Sequence, residues 1–187
     1  AGVGQRLNPW DGIWRTVGWL ADGEWIAAIG ESEDRPQDLW LLPVPGVAAK
    51  DARPRQITDS LPATARAWLS TGRAGPSHRF AIVARDGLRV EGNLHLPAGV
   101  TGKRGGRRVP TVVYPHGGPT SQTFRAFIPF KRILTAAGYE VLDVDFRGST
   151  GYGREFRRGN VDEWGHADAY DVIDAARWAA EQPWCDG

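Results

Sequence analysis

Residues 109–146 spell out strand, helix, strand. Val109 to Tyr114 (VPTVVY) is a nearly continuous apolar run, the pattern of a strand buried inside a parallel sheet. Phe127 to Ala137 then places Phe127, Phe130, Ile133, Leu134 and Ala137 at helical spacing, with Pro129 tolerated in the first turn and Gly138 as the stop. Tyr139 to Phe146 (YEVLDVDF) is the second strand. Such a unit closes only as a right-handed crossover. His166 to Glu181 predicts a second helix, apolar along Val172, Ile173, Ala176 and Ala180 and terminated by Pro183 and Gly187. Asp168 and Asp171 fall in its early turns, where a carboxylate complements the helix dipole. Upstream, FAIVAR (80–85), an Asp86-Gly87 turn and LRVEGNLHLP (88–97) predict an antiparallel hairpin with Leu88, Val90, Gly92, Leu94 and Leu96 on one face. Together these elements define an α/β domain over 79–187.

The rhythm before residue 79 is different. Six of the nine tryptophans lie there, and short apolar runs alternate with turns: RTVGWL (15–20), the turn Ala21-Asp22-Gly23-Glu24, WIAAIG (25–30), a polar loop ESEDRPQ (31–37), DLWLLPV (38–44) and RQIT (55–58). This predicts an antiparallel meander that RQIT closes, with ARAWLS (65–70) opening another unit. Three or four short strands fit a propeller blade or part of a sandwich, and a single blade cannot bury both of its faces. Residues 1–78 are therefore expected to be the partial, C-terminal portion of a larger β unit whose neighbouring strands are missing, joined to the second unit through the Gly/Pro/Ser-containing stretch 71–78.

Composition removes several functions. A net charge of +1 supplies no field for nucleic acid or anionic lipid. Lys103, Arg104, Arg107 and Arg108 form a basic loop without interleaved aromatic residues, which reads as a solvated loop. One cysteine, Cys185, rules out a disulfide framework and reads as a small apolar residue; His78, His95, His116 and His166 show no metal-ligand spacing. No metal, cofactor, nucleic acid or membrane is expected, and no run is long enough to span a bilayer. A chain that starts at Ala1 and contains no methionine is expected to be processed or cut from something longer, and the motif positions favour cutting.

The candidate chemistry follows the two parallel strands. Tyr114-Pro115-His116-Gly117-Gly118-Pro119 leaves the first, in the crevice where open α/β sheets bind ligands, and its glycines can present backbone N–H groups without a Cβ in the way. Asp145-Phe146-Arg147-Gly148-Ser149-Thr150-Gly151-Tyr152-Gly153 leaves the second at the same end. Asp143 and Asp145 on one strand face could form an acid/base pair, but satisfaction by Arg147 and nearby N–H groups is the preferred reading. His95 is expected to be a partly exposed sheet residue.

YPHGGP, a helix ending AAGYEVL, DFRGSTGYGREF and WGHADAYDVIDAARWA resemble the front half of the catalytic domain of the prolyl oligopeptidase family, in its acylaminoacyl peptidase and dipeptidyl aminopeptidase-like branch. The resemblance implies a β-propeller followed by an α/β-hydrolase domain and serine-dependent hydrolysis of short peptides. It also implies that Gly118 is an oxyanion-hole N–H donor beside Gly117, and that His116 and Arg147 brace the site. The family nucleophile sits in a GxSxG elbow followed by Asp and then His. None of the six serines (Ser32, Ser60, Ser70, Ser77, Ser121, Ser149) has that setting, and Ser149, with Arg147 where the first glycine belongs, reads as a loop serine. The triad is therefore expected beyond residue 187, with the chain alone inert and the rest of the hydrolase domain as its partner. A cytoplasmic location is expected, and a homo-oligomer of the parent is left open. The competing readings are an α/β-hydrolase esterase or lipase and a propeller-bearing binding protein without a triad.

Overall fold

The architecture comes from a computed structural model that describes residues 7–101, 106–118 and 120–186. The chain forms two units, 1–71 with 125–128, and 72–124 with 129–187. Lys103 and Arg104 of the basic loop, and Pro119 of the HGGP motif, lie outside the described residues.

In the first unit, β1 (Ile13–Trp19), β2 (Trp25–Ser32), β3 (Arg35–Pro43) and β4 (Arg55–Gln56) form an antiparallel sheet in sequential order, the meander expected from the Asp22-Gly23 turn and the alternating runs. Trp40, Ala28 and Leu42 make its small core with Trp10 and Trp14, whose rings sit 4.5 Å apart at the centroids. Two expectations fail here. ESEDRPQ is not a loop: Ser32 pairs with Arg35 across a tight turn, because Glu31 accepts from Arg15 and Gln37, both at 2.9 Å, so strand polarity is satisfied rather than solvated. ARAWLS opens no second strand unit: residues 65–69 lie in helix α1 (Ala63–Leu69), which starts after Pro62 and ends at Ser70; alanine, arginine and leucine are among the strongest helix formers and outweigh the single tryptophan.

The second unit is a four-stranded sheet in the order β5 (Ala74–Val83), β6 (Arg89–Pro97), β8 (Glu140–Asp145), β7 (Thr111–Val113). β5 begins at Ala74, so the 78/79 boundary falls inside a strand and the two units divide at Thr71/Gly72. β7 and β8 run parallel, with Val112 opposite Val141, joined through helix α2 (Pro129–Ala136). Val109 and Cys185 add a parallel bridge on the other side of β7, with Val109 N–H donating to Trp184 O and Asp186 N–H to Val109 O, each at 2.8 Å. Cys185 is buried there, as expected. Beneath it Glu140 accepts from the Thr111 hydroxyl at 2.6 Å, and burial pushes its carboxyl up from the ordinary range.

Short helix α3 (Arg154–Arg158) follows the β8 loop, and helix α4 (Ala167–Ala180) covers one face of this sheet. Ala175 and Ala179, fully buried, pack on Leu94, Leu142 and Val144, and Trp178 stacks on Phe80 at 5.1 Å. The fully buried row is Asp171, Ala175, Ala179; of the expected face Val172, partly buried, packs against this core, whereas Ile173 faces solvent. Residues four apart share a helix face, and the face is chosen by Asp171, which must reach the half-buried Arg147. Only small residues then let the helix approach.

The opposite face, under α2, is polar. The strand alternation that sends Leu142 and Val144 to α4 sends Asp143 the other way, into a buried ion pair with Lys131. α2 consequently buries Lys131 and Thr135 and turns Phe130 (51% exposed) and Ile133 (54%) outward, the reverse of the expected apolar face. His95 is buried, not partly exposed, with Nε2 3.6 Å from Asp143 Oδ2. Nor does Arg147 satisfy Asp143. Removing one member of a buried pair strands the other charge. Lys131→Met should therefore cost about 3–5 kcal/mol in urea unfolding, while Lys131→Met combined with Asp143→Leu should regain most of it. An unchanged midpoint for the single variant would contradict the pair's role.

Candidate functional site

Parallel pairing sends the chain out of β7 and β8 at the same edge, so the two motifs singled out in the sequence meet. After β7, Tyr114 N–H still bonds Leu142 O at 2.8 Å; the segment then turns through His116, Gly117 and Gly118. Gly118 has φ +144°, and a Cβ there would stand 2.8 Å from Thr120 N, so a side chain is excluded by both conformation and space. Among the described residues neither the Gly117 nor the Gly118 N–H has an intramolecular acceptor.

The segment after β8 forms the floor. Asp145, buried, accepts from Thr123 N–H at 2.5 Å and from the Thr123 and Tyr152 hydroxyls at 3.0 and 2.5 Å. Thr123 also accepts from buried Asn93 at 2.7 Å. Asp145 thus ties the strand to the far end of the glycine loop, and Thr150 N–H adds a bond to Ser121 O at 2.7 Å. The expected partner Arg147 points elsewhere: its guanidinium and N–H take Asp171 at 2.7–2.8 Å, and it also contacts Asp86 of the β5–β6 turn at 2.7 Å. The Asp171 hydrogen bonds, more than its burial, keep this arginine firmly protonated, and the same contact holds the Asp86 carboxyl below its usual range. Arg147 therefore joins α4 and the hairpin turn to the β8 loop.

His116, its side chain 10% exposed, contacts Ser149 Oγ through Nε2 at 2.7 Å, and its ring stacks on Phe146 at 4.6 Å. Serine, histidine and an acid are thus close together, but not as a catalytic relay. Asp145 Oδ1 lies 3.7 Å from the same nitrogen that meets the serine, whereas a relay needs the acid on the opposite one. Ser149 is fully buried, and its hydroxyl also lies 2.6 Å from Phe146 O. The sequence singled out His116, Gly117, Gly118 and Arg147, but not Asp145, Thr123, Tyr152 or Asn93 as a connected network. Only Tyr152 within GSTGYG carried a usable signal. Among the described residues no group of three or more His, Cys, Asp or Glu could hold a metal ion, and no helix is long and apolar enough to cross a membrane.

Comparison with known proteins agrees with this layout. The sequence profile of the prolyl oligopeptidase family matches residues 127–187, a segment that starts beyond the glycine loop. The chain is 34% identical over 110 residues to dipeptidyl aminopeptidase BIII of Pseudoxanthomonas mexicana, a match covering 57% of this chain and 16% of that protein. It is 38% identical over 96 residues to the human acylamino-acid-releasing enzyme, covering 51% of this chain and 12% of that one. Among solved structures, an acylaminoacyl peptidase of Pyrococcus horikoshii superposes with a TM-score of 0.68 at 24% identity, over 94% of this chain and 26% of its own. The chain thus spans under a fifth of these curated relatives and about a quarter of this solved chain.

Burial, then hydrogen bonding to Asp145, pushes the Tyr152 phenol from 10.0 up to about 12. A raised phenol value favours the folded state while the group is neutral, so its contribution is complete below pH 10 and is lost as pH climbs through about 12. An ultraviolet tyrosinate titration should show one late phenol, absent in Tyr152→Phe, and the variant should lose about 1 kcal/mol at neutral pH. A titration unchanged by the substitution would contradict this.

Proposed function

We propose that this member of the prolyl oligopeptidase family supplies the oxyanion side of a serine peptidase site, within a longer polypeptide whose nucleophile, acid and general-base histidine lie outside residues 1–187. The observation that carries this reading is the glycine loop at the shared carboxyl edge of β7 and β8, with the Gly118 N–H lacking an acceptor among the described residues and lying beside a histidine held by Ser149. The names of the relatives, a dipeptidyl aminopeptidase and an acylamino-acid-releasing enzyme, support short peptides as substrates. The antiparallel four-stranded sheet of the first unit supports a propeller blade ahead of the hydrolase domain.

In this mechanism a serine activated by a histidine attacks the scissile carbonyl, and the oxygen that becomes negative accepts from the Gly118 N–H and from the N–H following the nucleophile. A donor aimed at that oxygen in a dry site is worth about 3–4 kcal/mol. It accelerates the reaction because the charge exists only in the transition state.

The 187-residue chain by itself should take no label from a fluorophosphonate serine probe, since Ser149 is buried and no other serine stands in an elbow. The full-length protein should be labelled and should turn over an aminoacyl anilide in preference to a short-chain nitrophenyl ester. Gly118→Ala, whose Cβ would push against Thr120 N, should lower its kcat by roughly a hundredfold. Labelling of the 187-residue chain at any of its six serines would sink the proposal, and preference for the ester would move it to an esterase.

A further inference from the structure

The geometry points to Ser149 as the positioning residue that aims the Gly118 N–H, acting through His116; the inference rests on the oxyanion reading above. His116 Nδ1 lies 2.9 Å from Gly117 O. A carbonyl oxygen only accepts, so this contact takes its hydrogen from Nδ1; the Ser149 hydroxyl, 2.7 Å from Nε2 and 2.6 Å from Phe146 O, then shares its one hydrogen between these two acceptors. Gly117 O and the Gly118 N–H belong to one planar trans peptide and point in opposite directions. A ring that holds the oxygen on one side therefore fixes where the N–H points on the other.

The Gly118 end of that peptide is held by its close approach to Thr120 N, but at the Gly117 end a Cβ would meet nothing within 4 Å, and glycine's backbone tolerates a wide range of angles. At that end the orientation is set by the hydrogen bond to the imidazole. The imidazole in turn is held by two contacts, the stack on Phe146 and the Ser149 hydroxyl on Nε2 at 2.7 Å. Stacking fixes the plane of the ring but is nearly indifferent to rotation within that plane or to exchange of its two edges. The hydroxyl decides which nitrogen faces Gly117. Ser149 suits this task because it is fully buried, has its own N–H bonded to Phe146 O at 3.0 Å, and is followed by Thr150, whose N–H holds Ser121 O. The sequence pattern that resembles a displaced nucleophile motif is thereby a template for the donor.

The test uses the full-length protein with Ser149→Ala. Loss of the anchor should lower kcat by roughly ten- to a hundredfold while KM changes by less than about twofold, because the donor acts on charge that exists only in the transition state. A peptide boronic acid, which forms the tetrahedral adduct, should weaken by the same factor, and a product-like peptide inhibitor should bind as before. Ser149→Cys, which keeps the shape and weakens the contacts the hydroxyl makes with His116 and Phe146 O, should give an intermediate kcat whatever the fold stability of the alanine variant. Wild-type kcat in both variants, or equal losses for boronate and product, would overturn the role of Ser149 and leave the peptidase reading intact. A full-length protein that neither takes the serine probe nor cleaves the anilide would overturn both.

Discussion

The parallel register of β7 on β8 is the constraint on which the candidate site depends. With Thr111 opposite Glu140 and Val113 opposite Leu142, the two strands deliver their carboxyl ends side by side, and two loops far apart in sequence become neighbours. A shift of one residue would turn Asp145 and Asp143 toward α4 and place Val144 under α2, since successive side chains point to opposite faces. Burying unpaired carboxylates against Ala175 and Ala179 costs several kcal/mol each, so the register is strongly specified by charge as well as by apolar pattern.

That charge pattern divides the labour between the two faces of the sheet. The α4 side is an apolar core of conventional kind. The α2 side is a polar layer in which Lys131 meets Asp143, and Asn93, Thr123 and Tyr152 surround Asp145. Such a layer adds little net stability compared with an apolar one, but it tolerates few arrangements, because each unmade bond leaves a buried group unsatisfied. This suits the proposed role, in which a backbone N–H is held in one direction. Arg147 extends the same logic to the back of the loop, where bidentate pairing with Asp171 locks the helix and the turn together.

Periodicity made the strands, the crossover, the second helix and both loop motifs legible, and the resemblance to a peptidase family agreed with the relatives found. It failed where polar residues are buried. Lys131 and Thr135 look like the solvent face of a helix, and Phe130 and Ile133 like its core face; the pairing of Lys131 with Asp143, twelve residues away, inverts them. ESEDRPQ looks like a loop until Glu31 finds Arg15, and His95 looks exposed until a helix covers its side of the sheet. These three errors share one cause: hydropathy treats polarity as exposure, whereas a paired polar group can be buried.

The amino-acid sequence alone determined the class of fold, the order of its elements and the residue types available to the site, because these follow from local spacing and backbone preference. It also showed that no serine stands in a nucleophile elbow. What only the tertiary structure decided is which partners those residues take: Arg147 with Asp171 and Asp86, Asp145 with Thr123 and Tyr152, and Ser149 with His116. These are long-range pairings between groups that could each bond several others, and nothing in a local pattern ranks the choices. The ranking comes from burial, which makes an unsatisfied charge or donor far costlier than a mismatched one at the surface.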